Sequence, residues 1–379
     1  MSIHKILFVT SEAHPLIKTG GLADVSGSLP AALKTLRRDI RILMPAYKSA
    51  RARIGRHTRK AQLKAPGFPD DIAVLEGHLP GTRIPVWLVD SPRHFDRDGG
   101  PYADSQGRDW PDNAERFTVF NRIAELLALN QAGLDWQPDI VHCNDWQSGL
   151  TPALLARSTP RPATVFTIHN LAYQGLFNWE TFQGLHLPGD LWSMHAMEFY
   201  GQFSFIKGGI TFADMLNTVS PQYAREICTP EFGCGLENLL SQRADRLAGI
   251  LNGADYSQWN PARDPHLAAN YNPFTTEKKK INKRQLQKLY NLPIDDGVPL
   301  IGLVGRLVEQ KGFDLLLAIL PQLFQRRVQV VVLGSGDKSL EHRLEMAVRE
   351  YPDKLGAHIG YNEALAHQIE GGADMFLMP

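Results

Sequence analysis

Lys18-Thr19-Gly20-Gly21-Leu22 stands between a short apolar run and a helical pattern, where residue types alone point to anion chemistry. Glycines let the backbone approach a ligand closely. The helix that follows offers unpaired N–H groups at the positive end of its dipole, and the lysine adds a mobile charge. A diphosphate or a sugar phosphate suits such a loop, as does a plain tight turn with a solvated lysine. Gly305-Arg306 followed by Lys311-Gly312 repeats the theme after a second apolar run. Two cations at a strand's carboxyl end can clamp the phosphates of a nucleotide, the arginine through its bidentate fork, although a salt-bridged loop has the same composition. Gly334-Ser335-Gly336-Asp337 is a third and weaker loop of this kind. Cationic glycine loops in both halves of the chain point to a ligand held in a cleft between two domains.

His142-Cys143-Asn144-Asp145-Trp146 and Thr167-Ile168-His169-Asn170 end two further apolar runs. In open α/β sheets such ends carry the ligand-binding side chains. A carboxylate beside an indole suits carbohydrate, the one accepting hydroxyl hydrogen bonds and the other offering a stacking face. Asp145 could instead cap the next helix, and His169 could be a satisfied core histidine. Asn252, in Gly249-Ile-Leu-Asn-Gly253, reads equally as a polar tip or a turn residue. No GxGxxG fingerprint and no GxxxxGK[ST] loop follows the first apolar run, which counts against a nicotinamide oxidoreductase or a simple ATPase.

These residues need strands and helices to hold them. Apolar runs at Ile6 to Val9, Ile40 to Met44, Val86 to Val89, Asp139 to His142, Thr164 to Ile168 and Leu216 to Val219 are expected as buried strands. Helical patterns lie over Leu22 to Leu36 and Asn113 to Leu129. Runs apolar at nearly every position suit a parallel sheet covered on both faces. A second alternating series comprises strands at Leu300 to Val304, Val328 to Leu333, His358 to Tyr361 and Met375 to Met378, with helices at Phe313 to Phe324, Leu340 to Arg349 and Glu363 to Gly371. The Pro- and Asn-rich stretch from Asn260 to Pro273 reads as a linker, so the expected domains are 1–265 and 266–379. Glu277-Lys-Lys-Lys-Ile-Asn-Lys-Arg284 is expected to be a solvated helix face rather than a nucleic-acid patch.

At 379 residues the chain is too long for one ordinary core. Forty Lys and Arg balance forty Asp and Glu, leaving no bulk charge to draw in nucleic acid or an anionic membrane. The three cysteines (Cys143, Cys228, Cys234) lack metal-ligand spacing and are odd in number, which disfavours a disulfide framework or a zinc site. No signal peptide or long apolar span is evident, so a soluble, cytoplasmic protein is expected.

Taken in order, Lys18-Thr-Gly-Gly-Leu-Ala-Asp-Val25, Phe166-Thr-Ile-His-Asn-Leu-Ala-Tyr-Gln-Gly175, Glu231-Phe-Gly-Cys-Gly-Leu236, Gly249-Ile-Leu-Asn-Gly253 and Gly305-Arg-Leu-Val-Glu-Gln-Lys-Gly312 resemble the bacterial glycogen synthase and plant starch synthase family over essentially the whole chain. The resemblance implies an α/β, GT-B fold with two Rossmann-like domains facing a cleft. It also implies transfer of glucose from ADP-glucose to the non-reducing end of an α-1,4-glucan, with retention of configuration and without a metal or other cofactor. By the family pattern, Lys18 with Gly20 and Gly21 lies by the donor diphosphate, and Arg306 and Lys311 are the phosphate cations. Asp145, His169 and Asn252 orient the transferred glucose, Asn170 is a further substrate-binding residue, and Glu12, Asp24 and Tyr102 match cleft positions. The expected partners are the sugar nucleotide and the glucan, with no nucleic acid and no membrane. The family continues past the position of Pro379 with an Arg-Phe-Glu-Pro-Cys-Gly-Leu segment, so the second domain is expected to be incomplete here and the 379-residue chain inactive by itself. A glucan-binding remnant without turnover is the alternative reading.

Overall fold

The computed structural model describes residues 4–379, which divide into two compact units, the first ending at Gly253 and the second Ala254–Pro379. The first is built on a nine-stranded sheet. Its strands are β1 (Lys5–Val9), β2 (Asp39–Pro45), β3 (Thr58–Lys64), β4 (Asp71–His78), β5 (Pro85–Asp90), β6 (Ile140–Asn144), β7 (Ala163–Ile168), β11 (Met215–Thr218) and β12 (Leu247–Gly249). Three short strands, β8 (Leu176–Phe177), β9 (Glu198–Phe199) and β10 (Gln202–Ser204), form a separate small sheet in the order β8-β10-β9.

The large sheet runs in the order β12-β11-β7-β6-β1-β2-β5-β4-β3. From β12 to β5 every neighbouring pair is parallel. Leu7, Phe8, Val9, Ile42 and Leu43 are completely buried, as expected of strands covered on both faces. The helix Asn113–Ala128 is buried at nearly every position, and several of its polar side chains are paired inside the protein. Asn121, for example, donates to the Phe117 and Gln147 carbonyls and accepts from the Thr151 N–H and hydroxyl, so the helix is tied to the turn after β6.

The six apolar runs expected as strands all pair in parallel with one another, and the sheet as a whole is mixed because of two further strands. β3 and β4 add an antiparallel ribbon beyond β5. β3 reads Thr-Arg-Lys-Ala-Gln-Leu-Lys and has no apolar run to announce it. As an edge strand it has water on one side, and its charged side chains protect that edge from further pairing.

Chain order reverses between β1 and β6. From β1 the sheet grows through β2 and β5 on one side, and β6, β7, β11 and β12 lie on the other. The carboxyl ends of β1 and β6 therefore flank the topological switch point, where open α/β sheets bind ligands.

The second unit carries four parallel strands in the order β15-β14-β13-β16, namely β13 (Leu300–Val304), β14 (Gln329–Gly334), β15 (Leu355–Ile359) and β16 (Met375–Phe376). Along β14, Val330 and Val332 pack into one core cluster with Leu316 and Leu320, while Val331 and Leu333 pack into another with Leu286 and Ile369. This two-residue alternation is what a sheet sandwiched by helices requires. The strand placed at His358 to Tyr361 from sequence instead spans Leu355–Ile359, paired with β14 from Val330↔Leu355 onward.

The units divide at Gly253, some way before the boundary near 265 that the linker composition predicted. The reason is local. The Trp259 ring stacks on His367 at 3.8 Å, and Asp264 Oδ2 lies 2.6 Å from His367 Nδ1, so residues on both sides of Pro261 are fastened to the helix Glu363–Gly372. The basic run also departs from expectation. Lys283 is buried and pairs with Asp374 at 2.6 Å, and Lys279 lies over Tyr271 and donates to the Glu370 carbonyl, so half of this face is packed rather than solvated.

Candidate active site

A buried acid, Glu12, and a half-buried one, Asp145, stand at the switch point of the large sheet. Glu12 follows β1 in the polar run Thr10-Ser11-Glu12, all of it buried. Its carboxylate accepts from the Thr19 N–H and, at 2.6 Å, from the Thr19 hydroxyl, and it accepts a third bond from the Tyr102 hydroxyl. Ser11 Oγ lies 2.7 Å from the same phenol oxygen. Burial pushes the Glu12 carboxyl above its ordinary value, the bonds from Thr19 and Tyr102 pull it back, and the neighbouring Asp145 pushes it up again. Glu12 thereby anchors the Lys18-Thr19-Gly20-Gly21 loop through its threonine. Sequence reading matched Glu12 only to a family position; the signal available was an acid three residues beyond an apolar strand.

The glycine loop is open. A Cβ at Gly20 or Gly21 would meet nothing within 4 Å, and Gly20 has φ −162°, which any residue adopts. Neither packing nor backbone conformation demands glycine here, whereas room for a ligand does. The helix Gly21–Thr35 begins without a side-chain cap, leaving its first N–H groups directed at that room. Lys18 is not the solvated lysine of the plain-turn reading. Its side chain is 17% exposed and its ammonium lies 2.9 Å from the Asp24 carboxylate.

Asp145 directly follows β6 with φ 54° and ψ −179°, a region in which side chains other than glycine are strained. The strain turns its carboxylate toward β7. Oδ1 accepts from the His169 N–H at 2.7 Å and from the Asn170 N–H at 3.3 Å. It does not cap the 3₁₀ turn Trp146–Ser148, so the capping alternative is excluded. Burial raises the Asp145 pKa to about 7 against the pull of those two N–H groups.

His169 Nε2 lies 3.1 Å from Asn144 Oδ1, and burial lowers its pKa to about 4, leaving a neutral imidazole at physiological pH. Beneath it, His142 Nε2 is 2.6 Å from Thr167 Oγ1, whose proton goes to Asn217 Oδ1. The His142 nitrogen is therefore the donor, and burial holds this ring neutral too, with a pKa of about 3. Asn144, Thr167, His142 and Asn217 are supports that sequence reading did not single out.

The predicted residues thus gather into linked sets in the first unit: Lys18 with Asp24, Glu12 with Thr19 and Tyr102, and Asp145 with His169 and Asn170. Asn252 lies exposed three residues beyond β12, on the edge that also carries the ends of β7 and β11. Trp146, weighed as a stacking face, is only 9% exposed and packs edge-on against Phe117 and Phe205, so it belongs to the core.

In the second unit the two glycine loops, Gly305–Gly312 and Gly334–Asp337, converge at the carboxyl ends of β13 and β14. A Cβ on Gly334 would meet the Gly305 carbonyl at 2.1 Å, and one on Gly336 would meet the Leu307 carbonyl at 2.4 Å. Gly312 has φ +70° and ends the turn that bears Lys311. Arg306 is half-buried and Lys311 exposed on this rim. The turn leads into the helix Phe313–Leu323, which also has no side-chain cap, so the cations sit beside a second uncapped helix start. Among the described residues there is no group of three or more His, Cys, Asp or Glu able to hold a metal ion, and no helix long and apolar enough to cross a membrane.

Residues 5–242 match the family model for the starch synthase catalytic domain. The chain is 57% identical over 375 residues to glycogen synthase 1 of Methylococcus capsulatus, covering 99% of this chain and 76% of that protein. It is 56% identical over 377 residues to the glycogen synthase of Thioalkalivibrio sulfidiphilus, of which it covers 78%. Among solved structures, the catalytic domain of starch synthase IV from Arabidopsis thaliana, bound to ADP and acarbose, superposes with a TM-score of 0.88 at 29% identity over the whole of this chain and 78% of that one. A sucrose-phosphate synthase from Thermosynechococcus elongatus, at 16% identity and a TM-score of 0.56, shares the fold alone. With its motifs, its two Rossmann-like units and these relatives in agreement, the chain belongs to the glycogen synthase and starch synthase family of GT-B glycosyltransferases.

Proposed function

We propose that the protein transfers glucose from ADP-glucose to the non-reducing 4-hydroxyl of an α-1,4-glucan with retention of configuration, and that the site residues divide the work as follows. Arg306 and Lys311 hold the diphosphate, whose charge grows as the glycosidic bond breaks, and Lys18 is a cation of the first unit suited to donor phosphate. Asp24, now the partner of Lys18, sits in the first turn of the uncapped helix, so an arriving phosphate competes for the lysine and the helix dipole alike.

The sugar becomes oxocarbenium-like as it leaves ADP. His169, neutral because it is buried, contacts sugar hydroxyls as a dipole and places no positive charge beside a developing cation. Asp145 orients that imidazole through its grip on the His169 and Asn170 backbone, and Asn170 and Asn252 complete the set toward the sugar. Tyr102 and Glu12 fix the Lys18 loop. In this reading fixed side-chain cations neutralise the diphosphate and no metal is needed, so activity should persist in EDTA.

The observation that carries the proposal is the Asp145–His169 arrangement: a strained, half-buried acid and a neutral histidine at the switch point of the sheet, beside an open glycine loop. The test is incorporation of labelled glucose into glycogen from ADP-glucose and from UDP-glucose. A higher kcat/KM with ADP-glucose is expected, and an equal or higher value with UDP-glucose would refute the donor assignment.

A further inference from the structure

Tyr200 and Gly201 form the two-residue turn between β9 and β10, with Gln202 paired to Phe199 across it. Both turn residues have positive φ, 48° at Tyr200 and 76° at Gly201, which is the type I′ hairpin signature. The first position of such a turn favours asparagine, aspartate or glycine, because a bulky side chain there is strained. A tyrosine that also packed into the core would recover that cost. Tyr200 does not, being 81% exposed. A strained aromatic whose ring stays in water gives folding little return, and strain of this sort persists where a ligand is met.

The turn is firmly seated. The Gly201 N–H donates to Glu198 Oε1 at 2.7 Å, closing the hairpin on itself. Below it the buried Lys207 donates its ammonium protons to the Glu198 and Met194 carbonyls, and Phe203 on β10 is completely buried. Phe199 and Tyr200 make an edge-to-face ring contact with centroids 4.7 Å apart, and the tyrosine remains largely exposed beside it.

The turn is also joined to the site. The Gly235 backbone comes so close that a Cβ there would lie 2.9 Å from Phe199 Cζ and 3.3 Å from Tyr200 Cε2. The adjacent Cys234 carbonyl accepts from Gln174 Nε2 at 2.9 Å. Gln174 belongs to the segment that begins with His169 and Asn170. An unbroken strip of the first unit thus runs from the Asp145–His169 pair through Gln174 and Cys234–Gly235 to the Tyr200 ring, with Phe232 (45% exposed) beside it on the same loop.

We propose that Tyr200 is a stacking platform for the acceptor glucan, receiving the apolar face of a glucose unit remote from the reacting end. The proposal rests on the reading of the protein as an α-glucan glucosyltransferase. Pyranose rings present C–H faces that pack on aromatic rings, and a polymeric acceptor has further units to place once its terminal sugar occupies the site. A rigid, solvent-facing ring on a pinned turn suits that task.

The test uses Tyr200→Asn, which installs the residue the turn prefers and so preserves or raises the melting temperature. Affinity electrophoresis through native gels containing glycogen measures binding without needing turnover. The asparagine variant should bind glycogen about threefold to tenfold more weakly, the value of one aromatic contact, with ADP binding unchanged. Tyr200→Phe and Tyr200→Trp should retain affinity, since the ring face and not the hydroxyl makes the contact. Should the asparagine variant fold poorly, Tyr200→Gly replaces it, glycine being at ease at positive φ.

Wild-type glycogen affinity in Tyr200→Asn would overturn the proposal. So would a loss in Tyr200→Phe as large as in Tyr200→Asn, or a change confined to self-association in sedimentation. Lack of glucose transfer by a form extended to the length of its relatives would sink the reading of its activity and leave this binding comparison standing.

Discussion

Replacing Asp145 by asparagine should make the protein more stable at neutral pH while removing most of its activity. The amide keeps an oxygen where Oδ1 accepts from the His169 and Asn170 N–H groups, and discards a carboxylate that burial holds at a pKa near 7 instead of its ordinary 3.8. Between those two values the unfolded chain has released this proton and the folded chain has not. Stability contributed by the group is therefore complete below pH 3.8 and is lost as pH rises toward 7, at about 1.4 kcal/mol per pH unit. From pH 5 to 7.5 this amounts to about 2 kcal/mol once the half-buried position and its residual water are allowed for.

His142 and His169, both depressed by burial, act with the opposite sign, withdrawing stability as pH falls below 6.5. Wild type and variant both contain them, so their contribution cancels in the comparison. The assay is urea unfolding at pH 5, 6, 7 and 8 followed by tryptophan fluorescence, which reports chiefly on the first unit because every tryptophan except Trp259 lies there. The expected result is that the Asp145→Asn variant gains on the wild type by about 2 kcal/mol across this range. Parallel curves would show that the carboxyl is not raised, and the account of Asp145 as a strained, poorly solvated acid would fail.

Thr19→Val removes the hydroxyl that donates to Glu12 and should cost about 1–3 kcal/mol in denaturant unfolding, with a fall in kcat/KM as the glycine loop loses its anchor; unchanged values for both would separate Glu12 from the loop. Lys18→Ala should lower kcat/KM by the equivalent of about 2–4 kcal/mol, as for other groups that stabilise charge in the transition state. His169→Ala should act on kcat far more than on the donor KM. In the wild type the pH–rate profile should show no limb from His169 between pH 6 and 8, because this ring titrates near 4; an imidazole limb in that range would contradict its burial.

Strands that are apolar throughout were legible in the sequence to within a residue or so, because burial on both faces leaves no alternative: β1, β7 and β13 are examples. β3 was not legible, since an edge strand with solvated lysines carries no apolar run, and the strands of the small sheet are two or three residues long, too short for any period. Motif spacing located Lys18, Asp145, His169, Arg306 and Lys311 at strand ends. It could not reveal that Asp145 adopts positive φ to reach the β7 backbone, since only the fold brings residues 145 and 169 together. Nor could it reveal that Lys18 is held by Asp24, or that Asp264 and Trp259 draw an apparent linker into the second unit. In each case the partner was visible as a residue and invisible as a neighbour.

The central claim is that this site moves glucose from ADP to a glucan with its configuration kept. Proton NMR of the first product formed from ADP-glucose and a maltooligosaccharide tests it most directly, because the new anomeric signal appears before any equilibration of the ends. An α-1,4-linked unit, appearing as ADP is released, is the predicted result. A β-linked unit, or free glucose with no lengthened chain, would contradict the account.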